Sequence, residues 1–357
     1  MIKTLFTVAL SSLLLISTTH AQESSPQVIA TTTIAADVVQ QVVGDLYTVG
    51  ALVPVNSDTH AFEPTATDAV RIAEADLIFA IGAGYEGFLD TLIANIGRDV
   101  PVTILSNGVE IISFDDDAHA HTEEDHDHEE DAEATEEAED AHHHDHTHFG
   151  RLGEEVTCDD HSHEDHDDHE EEGHDHAHGV CDPHVWTDPN NVIIWVGNIV
   201  TALSELDPAH ADVYEANGAR YIESLSALDA EIRARVEMLP EEQRVLVTNH
   251  EFLGYFAHAY GFDVIATVLP GISTNAELDA QSLAELVTLV RDAQVPAIFT
   301  EVSSNSRLAQ VLAQEAGIST IPALYTESLS DTDGDAPTYI EYMRFNTETI
   351  VSALMGE

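Results

Sequence analysis

Three histidines of this chain, His60, His184 and His250, stand where a strand or a proline-bounded turn would deliver an imidazole to a cleft. Neutral imidazole is the commonest metal ligand, so three of them brought together would hold one transition-metal ion. His60 closes "YTVGALVPVNSDTH", just past the end of an expected strand, and His250 closes "VLVTNH", in what reads as the equivalent place in the second half. In open α/β sheets, ligands bind beyond the carboxyl ends of the strands. His184 lies in "CDPHVWTDPN", where Pro183 and Pro189 restrict the backbone and suit a pre-organised ligand. Taken singly, each would more often be structural; together they favour a ligand set. The other histidines outside the dense run below read more plainly. His20 falls in the N-terminal leader, His210 opens a helix as a capping or surface residue, and His258 in "GYFAHAYG" lies on a helix face, packed or solvated.

The remaining 16 of the 22 histidines, with 28 of the 67 acids and the single base Arg151, fall between Asp115 and His178. Such a segment lacks the apolar content to fold alone. It reads as a disordered insertion into the first half. Solubility by itself needs only Asp and Glu. So many imidazoles beside carboxylates suggest multiple weak, exchangeable metal sites, with His142, His143, His144 and His146 in one cluster and His174, His176 and His178 in another. Cys158 and Cys181 bracket the last part of this run. In an oxidising compartment they would form a disulfide closing it as a loop; the other reading makes them soft zinc ligands.

The formal net charge of −56 excludes nucleic acid as a natural partner, because so acidic a chain repels phosphate. Outside the insertion the chain is an ordinary, mildly acidic protein, and 357 residues with 43% apolar content suffice for about two domains. Lys3, the apolar "LFTVALSSLLLIS" and the small-residue site "THA" form a secretory signal cleaved near Ala21, which predicts a periplasmic protein. The apolar run is short of the about 20 residues that a spanning helix needs. No cysteine sits at the cleavage point, so a bacterial lipid anchor is not indicated.

The elements that must position the three histidines alternate along the chain. "QVIATTT", "YTVGALVP", "LIFAIGA" and "VTILS" read as strands, separated by the helical patterns "IAADVVQQVVGD", "TDAVRIAEA" and "EGFLDTLIANIG". After the insertion, "RVLVT", "DVIATV", "AIFTE" and "STIPALY" repeat the rhythm with helices that include "AQSLAELVTLVRDA" and "RLAQVLAQEAG". Strands alternating with helices predict an α/β protein of two similar lobes, each a mainly parallel sheet flanked by helices. Between Pro208 and Pro240, Tyr214, Tyr221, Leu225, Leu228, Ile232 and Val236 fall at helical spacing, so one long helix joins the lobes. Gly218 would weaken it by only about 1 kcal/mol. A joint of that kind is stiff and argues against large hinge closure. The expected layout is a signal at 1–21, an N-terminal lobe at 22–205 with its insertion at about 115–178, a linking helix at 206–240 and a C-terminal lobe at 241–357.

Five segments, "NSDTHAFEPTATD", "DPHVWTDPNN", "TNHEFLGYFAHAYGF", "AIFTEVSSNSR" and "ALYTESLS", resemble in order and spacing the signatures of the zinc/manganese-type solute-binding proteins of bacterial ABC importers. The resemblance spans essentially the whole mature chain. It implies one metal held between two lobes by His60, His184, His250 and a fourth ligand from "YTESL", where this chain has Glu327 and the family usually has aspartate. Water or Glu301 would complete the set were Glu327 out of reach. Glu301 and Glu63 are otherwise expected to accept hydrogen bonds that fix the imidazoles. Three imidazoles and one carboxylate suit Zn2+, manganese prefers more oxygen, and the manganese members generally carry a carboxylate where this chain has His250. Copper would still outrank zinc in raw affinity. The implied function is capture of Zn2+ in the periplasm by a monomer that delivers it to a permease in the inner membrane. A zinc buffer or a manganese-binding protein is the alternative. A zinc enzyme would need an open coordination position and a base such as Glu301, but neither "HExxH" nor GxSxG is present.

Overall fold

The computed structural model describes residues 25–112, 181–269, 279–303 and 306–356. The expectations for the leader, the histidine-rich insertion with its metal-binding clusters, and Cys158 lie outside those residues.

The first half builds four strands, β1 (Val28–Ala30), β2 (Gly50–Ala51), β3 (Leu77–Ala80) and β4 (Val102–Ile104), alternating with α1 (Thr33–Val43), α2 (Ala66–Glu74) and α3 (Leu89–Ile96). All pairings are parallel in the order β2-β1-β3-β4, with Val28 opposite Leu77 and Ile78 opposite Val102. Helix starts follow local chemistry. Thr32 accepts from the Ala35 amide at 3.1 Å to cap α1, and Thr65 and Asp68 form a capping box on α2. The chain then turns through His184 into α4 (Pro189–Leu206), where Asp188 caps the helix and Pro189 occupies its first turn.

The linking helix is α5 (Ala211–Val236), preceded by a short 3₁₀ turn at Pro208–His210. Its six predicted core residues are all buried. A Cβ on Gly218 would lie 2.6 Å from Val200 Cγ2 and 3.3 Å from Val196 Cγ1. This glycine therefore lets α4 approach α5, and its low helix propensity is offset by that close packing.

The second half repeats the topology with β5 (Val245–Thr248), β6 (Asp263–Thr267), β7 (Thr300–Glu301) and β8 (Ala323–Leu324), interleaved with α6 (Gly254–Tyr260), α7 (Ala280–Asp292) and α8 (Arg307–Ala316). β5 pairs with β6 and β7 with β8, again parallel, and a bridge between Thr248 and Phe299 joins the two pairs into the order β6-β5-β7-β8. The last helix, α9 (Tyr339–Met355), returns along α5. Arg235 pairs with Glu348 at 2.8 Å and Arg344 with Glu231 at 2.8 Å across that contact.

One continuous core runs through both lobes. It joins Ile34 and Val38 of α1 and Phe79 of β3 to Trp195 of α4 and Leu225 and Leu228 of α5, and on to Leu246, Phe256, Tyr339 and Ile350. Two smaller cores fill the outer faces: Ile72, Ile78 and Leu92 under α2 and α3, and Val268, Ile298 and Leu312 under α7 and α8. Each sheet is covered on both sides, as parallel strands require.

Candidate metal centre

His60 sits in the loop between β2 and α2, and His184 at the turn that leads into α4. His250 follows β5, and Glu327 follows β8. One atom from each of these four residues lies within 4.8 Å of the others. His60 Nε2 is 3.4 Å from His184 Nε2 and 3.1 Å from Glu327 Oε1, and His250 Nε2 is 3.6 Å from the same carboxylate oxygen. His184 and His250 are fully buried, Glu327 is 2% exposed, and His60 alone is partly open to solvent. His250 Nε2 and Glu327 Oε1 are buried without a hydrogen-bond partner. Buried polar atoms are normally satisfied, and a cation between these four groups would satisfy both.

Carboxylates fix the rings from behind. Asp182 Oδ1 faces His184 Nδ1 at 2.7 Å and accepts the His184 backbone amide at 2.9 Å. Glu301 Oε1 faces His250 Nδ1 at 2.5 Å and also accepts from Asn249 Nδ2 at 2.8 Å. With a proton on each Nδ1, both Nε2 lone pairs point into the centre, the usual support for ligating imidazoles. The Thr59 amide donates to Glu327 Oε2 at 2.8 Å, which holds the fourth group by its other oxygen. Tyr85 and Trp186 wall the cluster, with ring centroids 5.2 Å from His60 and 5.3 Å from His184, respectively.

Burial holds the His184 pKa well below the ordinary histidine value, and the neighbouring His250 and His60 act in the same direction. That imidazole is neutral and ready to donate its lone pair. Burial works against protonation of His250 too, but there the charges of Glu301 and Glu327 outweigh it and raise the pKa. Burial also pushes the Asp182 carboxyl up to about 7.

The structure brings His60, His184, His250 and Glu327 together and places Glu301 behind His250, on its Nδ1 side, rather than in the cluster. Glu63 is exposed on the loop before α2, so the carboxylate on the first lobe's buried imidazole is Asp182 instead. Asp182 escaped the sequence reading. Its signal was an acid two residues before a histidine in a proline-restricted turn, where a side chain reaches back to the local backbone. His60 and His250 are also not in equivalent places: β2 is the outer strand of its sheet, whereas β5 is interior and corresponds to β1. Hydrophobic runs announce strands but not their rank in a sheet. His210 faces Asp207 at 2.7 Å near the surface, and His258 is exposed; both stand apart from the cluster. Cys181 is buried and disulfide-bonded.

Residues 28–353 match the family model described as zinc-uptake complex component A, periplasmic. The chain belongs to this family. Its members are metal-binding, substrate-binding components of ABC importers, not enzymes, and they work outside the cytoplasm with permease and ATPase partners. The iron-binding protein YfeA of Yersinia pestis is 28% identical over 354 residues, covering 97% of this chain and 94% of that protein. The manganese ABC transporter substrate-binding lipoprotein PsaA of Streptococcus pneumoniae is 26% identical over 359 residues, covering 98% and 96%. Among solved structures, the periplasmic zinc binding protein TroA from Treponema pallidum superposes with a TM-score of 0.68 at 25% identity, covering 93% of this chain and 99% of that one. Among the described residues, no helix is long and apolar enough to cross a membrane.

Proposed function

We propose that this importer component is specific for zinc, bound by His60, His184, His250 and Glu327. The convergence of three imidazoles on one carboxylate, with His250 Nε2 and Glu327 Oε1 buried and without a hydrogen-bond partner, carries this reading. A nitrogen-rich set of four suits tetrahedral Zn2+, whereas manganese favours oxygen donors and higher coordination. The names of the relatives span iron, manganese and zinc, so the donor set of this chain decides the preference.

In this scheme the signal is removed near Ala21 and the mature monomer works in the periplasm. The tract at about 115–178 gathers Zn2+ at weak sites that include His142, His143, His144, His146, His174, His176 and His178, and so raises its local concentration near the cleft. Cys158 pairs with Cys181. The loaded protein docks on the permease in the inner membrane, and the core shared by both lobes supports release through small shifts rather than wide hinge opening.

Competitive zinc titration against a chelator of known affinity, on the mature protein with and without residues 115–178, tests the scheme. One tight site is expected in both forms, lost in His184→Ala, with manganese bound more weakly. Loss of tight binding with the tract would make the protein a zinc buffer. Tighter manganese than zinc binding would make it a manganese carrier.

A further inference from the structure

Asp182 sits 1% exposed between the lobes. Its Oδ1 is engaged by the amide and ring of His184. Its Oδ2 points at Gly254, the first residue of α6, where a Cβ would lie 2.4 Å from that oxygen and 3.2 Å from Ile112 Cδ1. The next residue completes the seat: the Tyr255 hydroxyl donates to the Asp182 carbonyl at 3.1 Å and accepts from the Ile112 amide at 3.2 Å. Gly254 also lies four residues beyond His250. The backbone leaving one lobe's ligand is therefore the surface against which the other lobe's carboxylate is set.

We propose that Gly254 is a positioning residue that couples the ligands of the two lobes: its bare backbone seats Asp182, and Asp182 aims His184. No unusual backbone angle requires a glycine there, since Gly254 is absent from the positive-φ positions and is helical. On helix propensity alone alanine would favour α6. A methyl group at 254 meets a buried carboxylate whose other oxygen already carries two hydrogen bonds, so the carboxylate shifts and His184 Nε2 turns away from the metal. Displacing α6 against the first lobe would loosen His184 and His250 together. The inference rests on reading both histidines as ligands.

A double-mutant cycle on the full mature chain tests it, with zinc competition as the main readout and the visible absorption of the Co2+ form as a geometric one. Gly254→Ala is expected to weaken zinc binding about 10- to 100-fold, the usual effect of losing the support of a ligand. Its Co2+ spectrum should change, and the metal-free protein should stay folded with a melting temperature lowered by the added volume. Asp182→Ala should fall in the same range, and the double variant should be no weaker than Asp182→Ala alone, because the clash then has no target. Wild-type affinity and spectrum in Gly254→Ala, or losses that add in the double variant, would overturn the coupling. If Gly254→Ala does not fold, Tyr255→Phe carries the test without added volume: zinc binding weaker by about fivefold or more is expected, since the hydroxyl's bonds to the Asp182 carbonyl and the Ile112 amide are both lost, and no change overturns the proposal. A wild-type protein whose zinc site is insensitive to His184→Ala would remove the ligand reading itself, and the coupling with it.

Discussion

The two lobes share a strand order but use it differently. In the first, the end of β1 carries Thr31, whose hydroxyl donates to Glu86 at 2.6 Å, and the same carboxylate accepts the Ile81 and Gly82 amides at 2.7 and 3.0 Å. In the second, the matching end of β5 carries Asn249 and His250, and both meet Glu301 at the end of β7. Each lobe thus ties the ends of its first and third strands together with a carboxylate, supplied by the loop after β3 in one and by β7 itself in the other. In one lobe that tie is architectural. In the other it aims an imidazole of the His60, His184, His250 and Glu327 cluster. The first lobe contributes to the cluster instead from the loop after the outer strand β2 and from the turn before α4. Equivalent topology offers equivalent strand ends, and the side chain at each end decides whether it joins the cluster or merely closes the sheet.

Removing a donor from the second lobe should break this asymmetry most severely. His250→Ala is expected to cost about 100- to 1,000-fold in zinc affinity by competitive titration, since a four-ligand site shares a large binding energy among its donors. Next come the two carboxylates. Glu301→Gln should weaken zinc about 10- to 100-fold with little effect on the metal-free fold. Glu86→Ala should leave zinc affinity within about threefold but cost about 2 kcal/mol in denaturant unfolding, because three donors lose their acceptor. An equal loss of affinity in both variants would erase the distinction between the lobes.

Proton competition sharpens the comparison further. An imidazole must give up its proton to bind metal. His250, with its pKa raised by Glu301 and Glu327 against the effect of burial, takes up a proton before the first lobe's His184, whose pKa burial lowers. Zinc affinity should therefore begin to fall while pH is still above about 6.5, the ordinary histidine value, and keep falling as pH drops. In Glu301→Gln, removing the negative charge lowers the His250 pKa and moves the onset of that fall to lower pH. An onset that does not move would place the sensitive group elsewhere. The smallest effect concerns the contact between α9 and α5: Arg344→Ala breaks an exposed pair with Glu231 and should cost no more than about 1 kcal/mol, with zinc affinity unchanged.

Much of this molecule was legible before any coordinate. Every strand and helix quoted for the two lobes has its counterpart, because alternating apolar runs and helical spacings record which residues are buried. The buried face of α5 followed from the same periodicity, and the three histidines stood out because few others lay outside the dense run. Metal chemistry is likewise a property of residue types.

Tertiary structure decided the rest. Strand rank is set by long-range pairing, which places β2 at the edge and β5 inside although both read alike as short apolar runs. The partner of each clustered ring is a contact through space: Glu301 lies 51 residues from His250, and only the pairing of their strand ends makes it the neighbour. Asp182 is close in sequence to His184, yet its fixed position depends on α6 of the opposite lobe. The amino-acid sequence determined which groups could bind a metal; packing determined which of them point at one another, because burial and hydrogen bonding, not spacing, fix the direction of a side chain.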